Sequence, residues 1–150
     1  MPRKSNNQQN NHNRLGSLGE AIAHSYLLEF SDFCYPTCEG HPADLIVEFG
    51  SALYKVQVRS RNRSENGKYT FPLDSHRKKS DTHKKYHCEL YAFIFFPEKR
   101  ILFKANNTQQ RYFIFRQEHL IDGMEEISLK QSLEDLSKKP VIDHLFTTIK

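Results

Sequence analysis

The sequence contains only three cysteines and no long apolar run, and each shortage excludes a class of protein. A small, odd number of cysteines argues against a disulfide framework and predicts a reducing, cytoplasmic compartment. No apolar run approaches the roughly 18 residues of a membrane-spanning helix, so no membrane partner is expected. The N-terminus is basic and amide-rich without an apolar core, so we do not expect it to be a secretory signal.

The composition predicts one compact domain with polar extensions. The chain has 150 residues, of which 37% are hydrophobic, and its mean hydropathy is -0.72. Eleven Phe and seven Tyr supply enough apolar surface for one core. We divide the chain into a disordered polar arm (1–13), a core (14–127) with a basic insertion (60–87), and a C-terminal helical segment (128–150).

Positive charge is concentrated in one part of the chain. Residues 59–87 carry nine Lys or Arg against three acidic residues, a surplus of six, whereas the whole chain has a net charge of +4. Such a segment fits a polyanionic partner. A solvated loop that keeps the protein in solution is the alternative.

The first regular element is predicted to be a helix from Arg14 to Phe30. Apolar residues at helical spacing define one face: Leu15, Leu18, Ile22, Tyr26 and Phe30. Gly16 and Gly19 are poor helix formers, which predicts close backbone packing there. The preceding arm is either a leader or an arm that binds the minor groove of DNA. Tyr35-Pro36 and Gly40-His41-Pro42 mark a connecting loop.

A hairpin is the strongest local prediction. Two β-prone runs, 44–49 and 52–59, flank Gly50-Ser51, a plausible two-residue turn. The paired residue numbers then sum to 101, so Leu45 faces Val56 on an apolar face. The same register sets Asp44 across from Gln57 on the other face, with Cβ atoms about 5 Å apart.

Further strands are predicted at 90–96, 100–104 and 111–115. Leu129, Leu133 and Leu136 indicate a short helix that ends at Pro140. A last amphipathic stretch, which is either core or an oligomer contact, contains Val141, Leu145, Phe146 and Ile149.

Oxygen ligands converge on the polar end of the hairpin. Mg²⁺ or Mn²⁺ prefers oxygen donors, which the Asp44 carboxylate, the Gln57 amide and the Val58 carbonyl can supply, with Glu20 approaching from the helix. Each predicted ligand also has an alternative interpretation. Asp44 fits a turn residue, and Gln57 fits a solvent-facing strand residue. Ser17-x-x-Glu20 matches a capping box.

Cations share the face of the predicted ligands. Because side chains alternate along a strand, Lys55, Gln57 and Arg59 point the same way, which aims a positive charge at a scissile phosphate. The alternative for Lys55 is a surface ion pair with Glu48. A zinc site is a further, weaker hypothesis, because Cys34, Cys38, His41 and His87-Cys88 match no common zinc spacing.

These residues resemble a known family. Gly19-Glu20 on a helix, Pro42-Ala43-Asp44 leading into a strand, and Gln57-Val58-Arg59 at the end of a hairpin resemble the PD-(D/E)XK nuclease superfamily. The match is to the branch with Gln at the acidic position. The length, the basic insertion and the polar tails resemble the homing endonucleases encoded in group I introns of cyanobacterial transfer RNA genes. The core resemblance spans residues 14–104.

The resemblance implies an α/β (α+β) fold with a mixed sheet flanked by helices. It implies Mg²⁺-dependent double-strand cleavage of DNA by a homo-oligomer, a tetramer or a dimer, in a prokaryotic nucleoid. Asp44 becomes the principal metal ligand, Gln57 takes the acidic position and Glu20 matches the helix acid. Arg59 departs from the family, which has Lys there. An arginine holds its protons and cannot act as a base. Either the site uses Arg59 electrostatically with help from Lys55, or the chain is a weakened or engineered variant.

The basic insertion is predicted to contact DNA. Its first part, residues 67–71 with the flanking Arg61, Asn62 and Arg63, is predicted to form a β-ribbon or loop in the major groove, where Lys68 and Tyr69 also contact DNA. Phosphates fit Lys78, Lys79, Lys84 and Lys85, and His76 and Arg77 are further predicted DNA contacts. The leading hypothesis is therefore a site-specific homing endonuclease. A non-catalytic DNA-binding module of the same fold, or a restriction or repair nuclease, is the alternative.

Overall fold

The computed structural model describes residues 6–73, 88–107 and 111–147. Within these ranges the elements follow in chain order: α1 (Asn6–Phe30), β1 (Phe33–Pro36), β2 (Leu45–Phe49), β3 (Ala52–Arg61), β4 (Lys68–Pro72), β5 (Leu90–Phe95), β6 (Arg100–Ala105), β7 (Tyr112–Arg116), a 3₁₀ turn (Gln117–His119) and α2 (Met124–Thr147). None of the helices in the described ranges has an apolar stretch long enough to cross a membrane.

The described strands form one mixed sheet and one separate ribbon. The sheet has five strands in the order β1-β2-β3-β5-β6. Strands β3 and β5 are parallel, while the other neighbours in this sheet are antiparallel. Strands β4 and β7 pair with each other as a two-stranded antiparallel ribbon. The predicted mixed sheet with flanking helices is therefore confirmed.

The predicted hairpin register is also confirmed. Leu45 pairs with Val56 and Phe49 with Ala52 around the turn at Gly50, whose φ is +62°. Gly adopts this left-handed conformation without steric penalty, which explains its place in the turn. Asp44 lies just before β2, and its backbone N–H donates to the Val56 carbonyl at 2.9 Å.

Each face of the sheet has its own cover. Both helices pack on one face, where Ala23, Leu27 and Leu129 contact a mostly aliphatic cluster that includes Val56 and Ala92. The ribbon covers the other face, where its Phe71 and Phe115 join aromatic residues of β5. This double cover buries every residue of β5 and makes it the central strand of the core.

The N-terminal prediction is partly wrong. Helix α1 begins at Asn6 rather than Arg14, so residues 6–13 are helical rather than a disordered arm. Its buried stripe centres on Ala23 and Leu27, whereas Leu18 and Phe30 are about half exposed. The amide residues 6–13 have no apolar periodicity, which is why the pattern did not indicate a helix there.

Two further elements differ from prediction. Residues 33–36, expected to be loop, form edge strand β1, in which Pro36 pairs with Leu45; an edge position tolerates proline. Helix α2 continues through Pro140 to Thr147 instead of ending there. A proline removes one helical hydrogen bond but does not oblige a helix to stop. The side chains of the predicted C-terminal stripe lie outside the described residues.

Candidate active site

Asp44 is held at the point where β2 begins. Its backbone is fixed on both sides, since its N–H donates to Val56 and its carbonyl accepts from the Thr37 N–H at 3.0 Å. The carboxylate oxygen Oδ2 accepts two hydrogen bonds, from the Val58 N–H at 2.8 Å and from Gln57 Nε2 at 3.0 Å. The carboxylate therefore has one orientation, which is a requirement for a metal ligand.

Gln57 is buried beside Asp44, with 8% of its surface exposed. The contact to a carboxylate requires the amide nitrogen on that side, which turns the amide oxygen away from Asp44. This Oε1 atom is buried and has no hydrogen-bond partner among the described residues. Leaving a buried acceptor unsatisfied costs about 1–3 kcal/mol, so such an atom points to a ligand.

Glu20 approaches the same place from α1 because the helix passes very close to β3. A Cβ atom on Gly19 would lie 2.0 Å from Ser60 Oγ, so only glycine fits this contact. Gly16 has no such neighbour, and the close packing predicted for it is wrong. Ser17 and Glu20 lie inside a helix that begins at Asn6, so the capping-box interpretation is also wrong.

The two carboxylates influence each other. Burial raises the pKa of Glu20, and the charge of Asp44 adds to this. Burial also raises the pKa of Asp44, against the opposing effects of the Val58 N–H and the Arg59 guanidinium. A positive charge placed between the two carboxylates would favour the ionised form of both acids.

These side chains line one cleft of about 320 Å³ between α1 and β4. Its polar wall contains Glu20, Asp44, Gln57, Arg59 and Ser60, and its apolar wall includes Leu15, Phe71 and Pro72. The structure therefore brings together four of the five residues predicted to be catalytic. Val58 lines the cleft too; its N–H holds Asp44, a role that the sequence did not predict.

Lys55 is the predicted catalytic residue that does not line this cleft. Two positions along a strand separate it from Gln57 by about 7 Å. Its backbone pairs with Glu89 instead: the Lys55 N–H donates to the Glu89 carboxylate at 2.6 Å, and its carbonyl accepts from the Glu89 N–H at 3.0 Å. The predicted alternation of side chains along β3 is correct, but the cleft does not extend along this strand as far as Lys55.

The described part of the basic insertion lies beside the cleft. Arg61, Asn62 and Arg63 are exposed at the end of β3, and Arg61 Nε donates to the Thr70 carbonyl at 2.9 Å. Lys68 is exposed on the ribbon. The prediction for Tyr69 is wrong, because its ring is 3% exposed and packs edge-on against Phe95. His76, Arg77, Lys78, Lys79, Lys84 and Lys85 lie outside the described residues.

The ribbon, one of the two shapes predicted for residues 67–71, presents an outer surface that the sequence did not predict. Its inner residues are aromatic, and on its outer side Thr70 pairs with Ile114 and Lys68 with Arg116. Ile114 and Tyr112 are 57% and 49% exposed. The alternation within 112–116 was the available signal, but the sequence did not indicate that β7 would pair with β4.

Within the described ranges, no group of three or more His, Cys, Asp and Glu side chains is placed to hold a metal, and His87 of the zinc hypothesis lies outside those ranges. Cys34 and Cys88 are buried, Cys38 is exposed, and all three are free thiols. Burial raises the pKa of the Cys34 and Cys88 thiols to about 11, which keeps them protonated. Two of the three cysteines are therefore buried thiols.

Comparison with known proteins bears on the fold. No known family profile and no curated protein sequence matches the chain. Among solved structures, the bacterial homing endonuclease I-Ssp6803I superposes with a TM-score of 0.56 at 13% sequence identity, covering 85% of this chain and 97% of that one. The fold is nuclease-like. The resemblance drawn from short motifs is thus confirmed for the fold, which at this identity is all that the superposition shows.

Proposed function

We propose that the protein is a metal-dependent DNA endonuclease of the homing type, which makes double-strand breaks by phosphodiester hydrolysis. The arrangement of Asp44 and Gln57 carries this proposal. An oriented carboxylate lies beside a buried amide oxygen that has no partner among the described residues. Both open on a cleft shared with a second carboxylate and a guanidinium. The fold neighbour is a homing endonuclease, which supports the same class.

The donor set fits a hard divalent cation. The cleft offers oxygen atoms of Asp44, Gln57 and Glu20, and no thiol or imidazole is among its described lining residues. Oxygen donors select Mg²⁺ or Mn²⁺ over zinc. The described residues contain no group of three or more His, Cys, Asp and Glu side chains that could hold a metal. The amide and the Val58 carbonyl are therefore needed beside the acids.

Each cleft residue receives a role from its chemistry. A bound Mg²⁺ or Mn²⁺ would polarise the scissile phosphate and lower the pKa of a water molecule. Asp44 orients Gln57, and Gln57 in turn fixes Asp44. A guanidinium is a permanent positive charge, so Arg59 would stabilise negative charge that develops on the phosphate. Glu20 is the remaining carboxylate of the cleft, where it would bind the metal or the attacking water.

Substrate and assembly follow from the surroundings of the cleft. Arg61 lines the cleft and Arg63 lies two residues further along the chain, and both are exposed, which suits the polyanionic backbone of double-stranded DNA. One cleft of this kind cuts one strand, so a double-strand break requires two copies. We therefore propose that the protein is a homo-oligomer, either a dimer or a tetramer. We also propose that it acts in a prokaryotic nucleoid. Sedimentation of the purified chain with and without duplex DNA measures this state.

The deciding experiment is cleavage of plasmid DNA that carries a library of candidate sites. We expect nicking or cutting with Mg²⁺ or Mn²⁺ and none with EDTA. Site-specific double-strand breaks within an intron-insertion sequence support the homing class, whereas cleavage elsewhere supports a restriction or repair nuclease.

The Arg59→Lys variant distinguishes the endonuclease from its main alternative, a non-catalytic DNA-binding module. If no metal-dependent cleavage appears, and Arg59→Lys does not restore it, the endonuclease proposal is wrong. Salt-dependent binding of DNA without cleavage would then favour a non-catalytic DNA-binding module.

A further inference from the structure

A second recess adjoins the cleft on the side of α1. It lies between the first half of α1 and the loop after β3, and its volume is about 1140 Å³. Its polar lining residues come from both elements: Asn11, Asn13, Arg14, Ser17, Asn62 and Arg63. On the helix, Asn11, Arg14, Leu15 and Leu18 recur at spacings of three and four, so they share one face.

The chemistry of this recess is that of an anion-binding surface. None of its eight described lining residues is acidic, while two carry guanidinium groups and three carry amides. Small-molecule pockets are mostly enclosed, whereas this recess is open to solvent. Guanidinium and amide N–H groups are the usual donors to phosphate oxygens. A polyanion that lies along the surface is the occupant that this chemistry fits.

The recess is continuous with the candidate active site. Leu15 lines both spaces. In addition, Gly16 and Arg61 of the cleft precede Ser17 and Asn62 of the recess in the chain. Along α1, the ten residues from Asn11 to Glu20 are separated by nine helical rises, a span of about 14 Å. Phosphates of one DNA strand rise about 3.4 Å each along the duplex axis, so this length corresponds to about four nucleotides.

We propose that this recess binds the DNA backbone over about four nucleotides on one side of the scissile phosphate. The proposal rests on the proposed function, because the DNA is placed by the neighbouring cleft. Binding is to phosphates, so the recess positions the duplex and does not select its sequence. The first half of α1 is then a DNA-binding element that contacts the backbone, rather than an arm in the minor groove, which was one of the two interpretations of residues 1–13.

The test compares two charge-matched double variants of the full-length chain. R14Q/R63Q removes both guanidinium groups of the recess. K104Q/K138Q removes two exposed lysines on β6 and α2, away from the cleft. Affinity for 30-base-pair duplexes of several sequences is measured in EDTA, so that no cleavage interferes, as a function of salt concentration.

We expect R14Q/R63Q to weaken binding to all duplexes alike and to reduce the slope of log affinity against log salt by about 2. The control variant should keep the wild-type slope. R14K/R63K should also keep it, because an ammonium group still binds a phosphate, which excludes an effect through misfolding.

Two outcomes would separate the proposals. If wild-type protein cuts DNA and R14Q/R63Q retains the full salt slope, the recess does not bind the backbone, although the endonuclease proposal stands. If wild-type protein neither binds nor cuts DNA, both proposals are wrong. Preferential binding of an RNA duplex of equal length would overturn the assignment of DNA as the occupant.

Discussion

Strands β3 and β5 run parallel and in register, yet the same face of each carries opposite chemistry. Gln57 lies beside Tyr91, Arg59 beside Phe93 and Arg61 beside Phe95. The three β5 residues are at most 3% exposed, whereas Arg59 is half-buried and Arg61 exposed. Neighbouring strands of one sheet thus divide a face into an aromatic half and a polar half.

The ribbon explains the division. Its Phe71 and Phe115 rings lie 4.7 and 5.2 Å from the Phe93 ring, so the ribbon covers the aromatic half. Phe71 and Pro72 form the wall of the cleft where this cover ends over β3. Polar side chains can bind ligands there because the cleft is open to solvent. The adjacent ribbon, in contrast, excludes water from the aromatic residues. The position of the cover thus determines where chemistry is possible.

The largest expected effect comes from the polar half. Asp44→Asn preserves the shape of the side chain and its ability to accept from Val58 and Gln57, but removes the charge that holds a cation. Since a catalytic metal contributes several kcal/mol, we expect cleavage to fall by about a thousandfold or more. Plasmid cleavage in Mg²⁺ measures this rate.

A matched control for Asp44→Asn is Asp32→Asn. The Asp32 carboxylate accepts from the Gly50 N–H at 2.8 Å at the far end of the hairpin and does not line the cleft. It should leave cleavage within about twofold. Equal losses in the two variants would show that charge in general, rather than the Asp44 site, supports activity.

In the aromatic half, the expected effect is on stability. Phe93→Ala removes a fully buried ring that contacts Phe71, Phe113 and Phe115. We expect the free energy of unfolding to fall by about 3–5 kcal/mol, measured by urea denaturation. Its register partner provides the comparison, because Arg59→Gln should change this free energy by less than about 1 kcal/mol. A similar loss from both would contradict the division of the face.

The boundary between α1 and β3 should show a smaller effect. In Gly19→Ala, the new Cβ would overlap Ser60 Oγ and push the helix away from the strand. Overpacking of about 1–3 kcal/mol outweighs a helix-propensity gain of about 1 kcal/mol, so a net destabilisation of about 1 kcal/mol is expected. Activity should fall as well, because Glu20 moves with the helix.

The double variant G19A/S60A tests the cause of that loss. Removing Ser60 Oγ leaves the Ser60 Cβ at 3.3 Å from the new atom, so stability and cleavage should recover in part. Ser60→Ala alone should be close to wild type, since its hydroxyl has no hydrogen-bond partner in the part of the chain that the structure describes. Failure of the double variant to recover would place the strain elsewhere.

The hairpin and its Asp44–Gln57 pair could be predicted because both depend on residues that are close together in the sequence. Alternation and a two-residue turn fix the register, and the register alone determines that Asp44 meets Gln57. Glu20 was predicted on weaker grounds. The spacing of Ser17 and Glu20 fitted a cap equally well, and only the observed start of α1 at Asn6 removes that alternative.

The elements that the sequence did not predict depend on distant pairing. Strand β1 exists because Phe33–Pro36 pairs with β2, and the burial of Tyr69 depends on Phe95, a residue 26 positions away. Neither contact leaves a periodic signal in its own segment. The prediction that Lys55 lies in the site has a different weakness. A side chain on the same face of β3 as Gln57 does not by that fact line the same cleft.

The smallest expected effect concerns pH and returns to the two acids of the polar half. The pKa values of Glu20 and Asp44 are raised in the folded protein, so their ionisation at neutral pH disfavours folding. Glu20→Gln removes one of these charges and should raise the Tm at pH 7. The gain should disappear as the pH falls below about 4, where both acids are protonated.

Millimolar Mg²⁺ should reverse the difference at pH 7, because the cation stabilises the wild-type pair of carboxylates more than the variant. Thermal melts at the two pH values, each with Mg²⁺ and with EDTA, measure these shifts. A Tm gain that is independent of both pH and Mg²⁺ would show that the two carboxylates do not share a cation.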